Sequence, residues 1–108
     1  MFSIIYITTG NMEEARRIGR TLVKERLAAC VNIFPITSIF RWKDKIDESQ
    51  EFGMMVKTRS EKVKDIEKRV KELHSYEVPC IISFRMENGS SDYLKWIEES
   101  VDRYENGV

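Results

Sequence analysis

The chain has 108 residues with 18 basic and 18 acidic side chains, so its formal net charge at pH 7 is zero. This length predicts one domain over residues 1–108 with a modest hydrophobic core. The charge balance disfavours nucleic acid or an anionic membrane as a partner, and no stretch approaches the roughly 20 apolar residues of a membrane-spanning helix.

The first elements predicted are a strand and a helix. The segment from Phe2 to Thr8 is β-branched or aromatic nearly throughout, which is typical of a central strand buried on both faces. Gly10 and Asn11 end this strand, and Asn11 with Glu14 makes a capping-box-like helix start. The apolar stripe of the helix is Ala15, Ile18, Gly19, Leu22 and Val23.

A very long hairpin follows the helix. Its first strand is predicted from Ala28 to Lys43, on the order of 50 Å at about 3.3 Å per residue, whereas typical strands run about 17 to 20 Å. A turn at Asp44-Lys45 leads to a return strand from about Glu48 to Thr58, and Pro35 predicts an edge position or a bulge.

The tip of this hairpin arm is apolar and aromatic, and a core of this size cannot cover it. Its predicted interface residues are Ile36, Ile39, Phe40 and Trp42. An uncovered apolar arm favours aggregation, so we expect another copy of the chain to cover it in an obligate oligomer.

The second half predicts a helix, a loop, a strand and a third helix. Ser60 is the expected cap of the second helix. Pro79 makes Val78 extended, so a loop from His74 leads into a strand from Cys80 to Met86. A turn rich in cap residues then begins a third helix that is predicted to run to about Tyr104.

The order β-α-β-β-α-β-α predicts an α+β ferredoxin-like sandwich, with one antiparallel sheet and two helices on one face. Two cysteines, Cys30 and Cys80, are too few and too far apart for a disulfide framework. The apolar run from Phe2 to Ile7 lacks the features of a secretion signal. We therefore expect a cytoplasmic protein.

Five separated motifs carry a resemblance to a known family. They are Glu25-Arg26-Leu27-Ala28-Ala29-Cys30-Val31-Asn32-Ile33, Ser38-x-Phe40-x-Trp42, Lys57-Thr58, His74-x-Tyr76-Glu77-Val78-Pro79 and Tyr93-Leu94-x-Trp96. Together they resemble the CutA family of divalent-cation tolerance proteins. Two positions depart from the family pattern: Phe40 stands where Tyr is usual, and Ser75 where Pro usually follows His.

The resemblance implies a ferredoxin-like subunit in a compact cytoplasmic homotrimer, with long hairpins exchanged between neighbours as in the PII signalling proteins. It also implies a role in tolerance of copper and other divalent metals, with no established catalytic reaction. The alternative function is a PII-like adaptor that senses a small metabolite and contacts a partner protein.

Cys30 and His74 are the first candidate metal ligands, because thiolate and imidazole suit copper or zinc and because the resemblance includes both. Competing interpretations make Cys30 a small buried hydrophobe and His74 a cation at a helix C-terminus. A closed site needs about four donors, so a weakly bound copper or other divalent ion would have to be shared between subunits.

A second group is expected near the inter-subunit cleft, where it could hold a small anionic or polar ligand. Its members are Arg26, Trp42, Lys57, Tyr76 and Glu77. The alternative for the charged members is an interface salt-bridge network.

Signatures of enzymes are missing from the sequence. There is no phosphate-binding glycine loop, Cys-x-x-Cys or His-Glu-x-x-His motif. The single histidine, His74, has no candidate nucleophile next to it. We therefore expect no catalytic residues. An RNA-binding module and an acyl-phosphate hydrolase on the same fold are weaker alternatives, since a fold alone confers no activity.

Overall fold

The computed structural model describes residues 1–102. Its strands are β1 (Phe2–Thr9), β2 (Cys30–Trp42), β3 (Lys45–Arg59) and β4 (Ile81–Arg85), and its helices are α1 (Met12–Lys24), α2 (Val63–Leu73) and α3 (Ser91–Ser100). The strands form one antiparallel sheet in the order β2-β3-β1-β4, which confirms the α+β class. Within the described range, no helix combines the length and the apolar character needed to cross a bilayer.

The main core lies between one face of the sheet and the helices α1 and α2. Side chains alternate along β1, so Ile5 and Ile7 are fully buried against the helices while Tyr6 on the opposite side is only half-buried. The prediction that β1 is buried on both faces is therefore wrong for a single chain, because α1 and α2 cover one face. We call the uncovered side the open face.

Two helix starts show how local signals and tertiary contacts compete. Asn11 caps α1 as predicted, accepting a 2.7 Å hydrogen bond from the backbone N–H of Glu14. Ser60 does not cap α2 through its side chain, because its hydroxyl pairs with the hydroxyl of Ser3 at 2.7 Å. A 3-10 turn over Ser60–Lys62 precedes α2 instead.

The third helix is shorter than predicted. It ends at Ser100 because Val101 has extended backbone angles, and the predicted end at Tyr104 lies outside the described residues. Ile97 and Val101 are buried with Ala29 in a second small cluster, which packs the end of this helix against the start of β2.

The hairpin arm is a continuous antiparallel ladder. Its register runs unbroken through the pair Pro35 and Phe52, and β2 is an edge strand, so Pro35 occupies an edge position with no bulge. The turn lies at Lys43 and Asp44, one residue earlier than predicted, and both residues have positive φ (51° and 65°). Two positive φ values are the mark of a tight two-residue hairpin turn.

The arm extends beyond the rest of the sheet. Strand β1 ends opposite Phe52, so the ladder from Ile36 to the turn has only two strands over roughly 20 Å. Near the tip, Phe40 and Trp42 lie on the open face and Ile39 on the other, and all three are exposed. Apolar side chains are therefore exposed on both faces of the arm near its tip.

Gly53 allows the closest side-chain approach to β3. A Cβ at this position would lie 2.7 Å from Cε2 of Phe34, whose ring also stacks on Tyr6. We expect Gly53→Ala to lower the free energy of unfolding by about 1–3 kcal/mol, because the Phe34 ring must shift. Chemical denaturation of both proteins measures this difference.

Gly19→Ala is the matched control. A Cβ at Gly19 meets Val31 at an ordinary 3.4 Å, and alanine favours a helix over glycine by about 1 kcal/mol. This variant should therefore be as stable as wild type or more stable. Equal destabilisation by both substitutions would contradict the role assigned to Phe34.

Candidate functional site

A cleft of about 650 Å³ lies on the open face, between the arm and the loop that follows α2. The arm contributes aromatic and acidic side chains, β1 contributes Tyr6 and Thr8, and the loop closes one side. The remaining lining residues are Ser38, Phe40, Trp42, Asp47, Glu51, Tyr76, Glu77, Val78 and Cys80.

His74 begins the loop and fixes its direction. Its backbone turns extended immediately after α2, and its imidazole, which is fully buried, pairs through Nε2 with the carbonyl oxygen of Thr8 at 2.7 Å. Nδ1 accepts a hydrogen bond from the backbone N–H of Tyr76 at 3.0 Å. Because the Thr8 carbonyl can only accept, Nε2 is the donor in this bond.

Glu14 holds the same loop from α1. Its carboxylate accepts hydrogen bonds from the backbone N–H of Ser75 at 2.7 Å and from the Ser75 hydroxyl at 3.0 Å. Burial by itself raises the pKa of Glu14, but the hydrogen bonds from the backbone and hydroxyl of Ser75 and from the backbone of Gly10 outweigh it and leave that pKa below its usual value. The charged carboxylate of Glu14 therefore stabilises the loop that begins at His74.

Tyr76 forms the floor of the cleft next to the arm. Its hydroxyl donates a hydrogen bond to Glu51, and Gly10 leaves room for it, since a Cβ at position 10 would lie 3.1 Å from that oxygen. Burial raises the pKa of Tyr76, and the bond to the Glu51 carboxylate raises it further. The phenol therefore stays protonated and remains a donor to Glu51.

The charge of the cleft is negative. Asp47, Glu51 and Glu77 line it, and no lysine or arginine is among its described lining residues. The rings of Phe40 and Trp42 lie in the same cleft, and aromatic faces attract cations. The arrangement thus favours a positively charged ligand over the anion that the sequence suggested.

The structure places the two predicted cleft cations elsewhere in the subunit. Arg26 forms an ion pair with Asp102 at 3.1 Å and donates to the carbonyl of Glu99, so it joins the end of α1 to the end of α3. Lys57 donates to the side chain of Asn32 and lies 4.0 Å from the Cys30 sulfur. Only Trp42, Tyr76 and Glu77 of that predicted group line the cleft.

Cys30 and His74 do not meet within one chain. Cys30 pairs with Lys57 across the ladder, whereas His74 contacts Thr8, which pairs with Gly53. Four strand residues separate these two levels, about 13 Å. Among residues 1–102, no three His, Cys, Asp or Glu side chains converge on one point. A metal site that uses both residues would need ligands from two subunits.

Sequence reasoning did not identify Glu14, Asp47, Glu51 and Cys80 as site residues. Glu51 lies on the open face of β3, where a side chain is expected to be exposed. It is only 7% exposed, because Tyr76 from a distant loop covers it. The only sequence signal was an acidic residue directly before the apolar run of β3. That signal is weak, since most such residues face solvent.

Comparison with known proteins gives one consistent family. A model of the CutA1 divalent ion tolerance protein family matches residues 3–100. The chain is 50% identical over 102 residues to the divalent-cation tolerance protein CutA of Archaeoglobus fulgidus, which is 94% of this chain and 100% of that protein. A solved structure of CutA from that organism covers 94% of this chain and 100% of its own, with a TM-score of 0.93.

Two further relatives extend the likeness. The CutA protein of Thermus thermophilus is 44% identical over 101 residues, covering 93% of this chain and 98% of that protein. Its solved structure, 43% identical, covers 94% of this chain and 100% of its own, with a TM-score of 0.91. A CutA homologue of Xenopus laevis is 46% identical over 100 residues, which is 92% of this chain and 66% of the frog protein.

The predicted cytoplasmic location is wrong by this comparison. The Archaeoglobus fulgidus structure is described as that of a periplasmic protein. The prediction depended on Cys30 and Cys80, which are both free thiols in the structure. A chain that uses no disulfide carries no redox signal, so its cysteine count does not distinguish the compartments.

Glu14→Gln tests the contact that positions the loop. At pH 7 we expect a loss of about 1–3 kcal/mol in the free energy of unfolding, because the charge-assisted bonds to Ser75 are weakened. Since the folded pKa of Glu14 lies below the reference value of 4.5, its contribution is complete above pH 4.5 and is lost as the pH falls through the folded pKa. Denaturation measured from pH 3 to 7 follows this.

Glu13→Gln is the control for this experiment, because Glu13 is the exposed neighbour on the same helix turn. It should leave both the free energy of unfolding at pH 7 and its decrease at acidic pH close to those of wild type. If the free energy of unfolding of Glu14→Gln decreases at acidic pH in the same way as that of wild type, the role assigned to Glu14 is contradicted.

Proposed function

Because the chain belongs to the CutA1 family of divalent ion tolerance proteins, we propose that it acts in metal tolerance as a homotrimer that binds divalent cations weakly in its clefts. The single observation that carries the proposal is the acidic and aromatic cleft beside Tyr76. The relatives are named for tolerance and not for a reaction, which supports a binding role over catalysis.

The exposed arm supports self-association. Its apolar side chains occur on both faces: Phe40 and Trp42 on one, Ile39 (68% exposed) and Ile46 (66% exposed) on the other. Covering such surface gains about 25 cal/mol per Å² of apolar area. We propose a threefold arrangement of ferredoxin-like subunits, similar to PII proteins, in which Ile36, Ile39, Phe40 and Trp42 contact neighbours.

The ligand set of the cleft supports a cation. Asp47, Glu51 and Glu77 supply oxygen donors, and Cys80 adds a thiol that suits copper or zinc. Because no complete ligand set converges within the described chain, the proposed affinity is low unless a neighbour contributes donors. Cys30 and His74 remain proposed ligands of a metal site shared between subunits. To bind a metal ion, His74 must give up one of the hydrogen bonds of its ring.

We propose that the ligand in this cleft contacts Trp42, Tyr76 and Glu77. Arg26 and Lys57 are proposed to reach a cleft only across a subunit boundary, since each is held elsewhere in its own subunit. In that role they would balance the negative charge of a neighbouring cleft.

The proposed trimer predicts a mass in solution three times that of the chain. Ile39→Asp with Ile46→Asp should reduce this mass at micromolar concentration, because two buried charges oppose arm packing. Light scattering combined with size-exclusion chromatography measures it. Glu48→Gln, an exposed change beside Ile39 in the ladder, is the control. A folded single subunit in the wild-type sample would contradict the trimer.

Metal binding should depend on the cleft carboxylates. In isothermal titration with Cu(II) and Zn(II), we expect Asp47→Asn with Glu77→Gln to weaken binding at least about tenfold, equivalent to 1.4 kcal/mol. Glu87→Gln with Asp92→Asn removes the same charge from exposed positions outside the cleft and should leave binding unchanged. Separate titrations of Cys30→Ala and His74→Ala test those two ligands.

The pH dependence of the titration separates the thiol from the carboxylates. Burial raises the pKa of the Cys80 thiol, and the nearby Glu51 carboxylate adds to this, so the thiol is protonated at pH 7. Metal binding through sulfur must release that proton, so affinity should rise between pH 6 and 8, and Cys80→Ser should flatten the rise. Wild-type binding that is absent, or unchanged in every variant, contradicts the metal assignment.

A further inference from the structure

A second cavity, of about 820 Å³, lies between α1 and β2, well away from the acidic cleft. One side is a stripe of exposed cations on α1, namely Arg16, Arg20 and Lys24, with Arg17 beside it. The stripe members are four residues apart, so they lie on one helix face at about 6 Å intervals. We call this cavity the basic groove.

The charges of the basic groove have no acidic partner among residues 1–102. No acidic residue is among its described lining residues, and Arg16, Arg20 and Lys24 form no ion pair within residues 1–102. Lys24 is near Glu25, but that carboxylate is bound by Arg69 through bonds of 2.8 and 2.9 Å. The groove therefore keeps a net positive charge although the whole chain has none.

Helix α2 shows the opposite arrangement, which makes the stripe on α1 distinctive. On α2, Lys71 pairs with Glu67 at 3.2 Å, and Arg69 binds both Glu72 and Glu25. Such pairs neutralise α2 locally. The two helices thus use their cations differently: α2 pairs Lys64, Arg69 and Lys71 with carboxylates, whereas α1 presents Arg16, Arg20 and Lys24 along a cavity.

The floor of the basic groove is apolar. Val31 and Ile33 of β2 form it, next to Gly19 of α1. Val23, 42% exposed, extends this apolar surface between the cations. A ligand in this groove meets an apolar wall and several positive groups at once.

One cation is held in place. Nη2 of Arg17 donates to the carbonyl oxygen of Leu73 at 3.0 Å, at the end of α2. This bond fixes the guanidinium at one end of the groove and leaves its other N–H groups available to an anion. Guanidinium groups bind phosphate and carboxylate through two parallel hydrogen bonds.

We propose that the basic groove binds a small amphipathic anion, a phosphate monoester attached to an apolar or aromatic body. The phosphate would contact Arg16 and Arg20, and the body would lie on Val23, Val31 and Ile33. The cavity is within the 300–1,000 Å³ typical of small-molecule sites. One stripe of about 12 Å is short for nucleic acid, which requires many phosphate contacts.

The probe for this proposal is 1-naphthyl phosphate, titrated calorimetrically into the full-length protein. Inorganic phosphate lacks the apolar body and 1-naphthol lacks the anion, so each should bind at least about tenfold more weakly if both halves are needed. Binding should also weaken as NaCl rises from 20 to 300 mM, because the charges are exposed. Equal binding of inorganic phosphate would overturn the proposal.

Arg16→Glu with Arg20→Glu should reduce naphthyl phosphate binding at least tenfold. Lys64→Glu with Lys68→Glu makes the same charge change on exposed positions of α2 and is the matched control. If the first variant is less well folded by circular dichroism, Arg16→Gln with Arg20→Gln replaces it, with the same expected direction. Unchanged binding by the folded variant overturns the proposal.

Two other sources of phosphate are tested separately. A 12-nucleotide single strand and vesicles containing phosphatidic acid are tested with the same variants. If either binds through Arg16 and Arg20 while naphthyl phosphate does not, the small-molecule assignment is wrong. It is also wrong if the double variant changes the oligomeric mass, because the groove then holds a second copy. Metal binding in the acidic cleft is a separate measurement, so either proposal can fail alone.

Discussion

Glu14 reaches from the first turn of α1 to the backbone and hydroxyl of Ser75, and this contact positions the loop on which the acidic cleft depends. With the loop held there, the His74 ring joins the end of β1, and the Tyr76 hydroxyl reaches Glu51 at the base of the arm. A charged group that is 6% exposed is normally costly, but here its hydrogen bonds compensate for burial. The cleft is thus built from three distant parts of the chain.

The sheet separates two regions of opposite charge. The open face carries the acidic cleft and the helix side carries the basic groove. Among the residues that the structure describes, no lysine or arginine lines the cleft and no acidic residue lines the groove. Because 18 cations balance 18 acids, composition hides this separation completely. It follows that zero net charge excludes a uniformly charged surface but not two local sites with different ligand preferences.

The arm places a different constraint on the molecule. A two-stranded ribbon beyond the end of β1 satisfies half of its backbone groups and leaves Ile39, Phe40 and Trp42 exposed near its tip. Phe40 and Trp42 belong both to the exposed tip and to the cleft, so packing by a neighbour would reshape the cleft as it covers the arm. Assembly and ligand binding are therefore coupled in the proposed trimer.

The sequence by itself determined what local chemistry controls: the order of elements, the Asn11 cap and a long hairpin with apolar side chains near its tip, whereas for Pro35 it left an edge position and a bulge open. These follow from periodicity, capping and proline geometry, which act over a few residues. Only the tertiary structure decided which side chains meet. Tyr76 covers Glu51, and Arg26 joins α3, because contacts between residues far apart in the chain depend on how the elements pack.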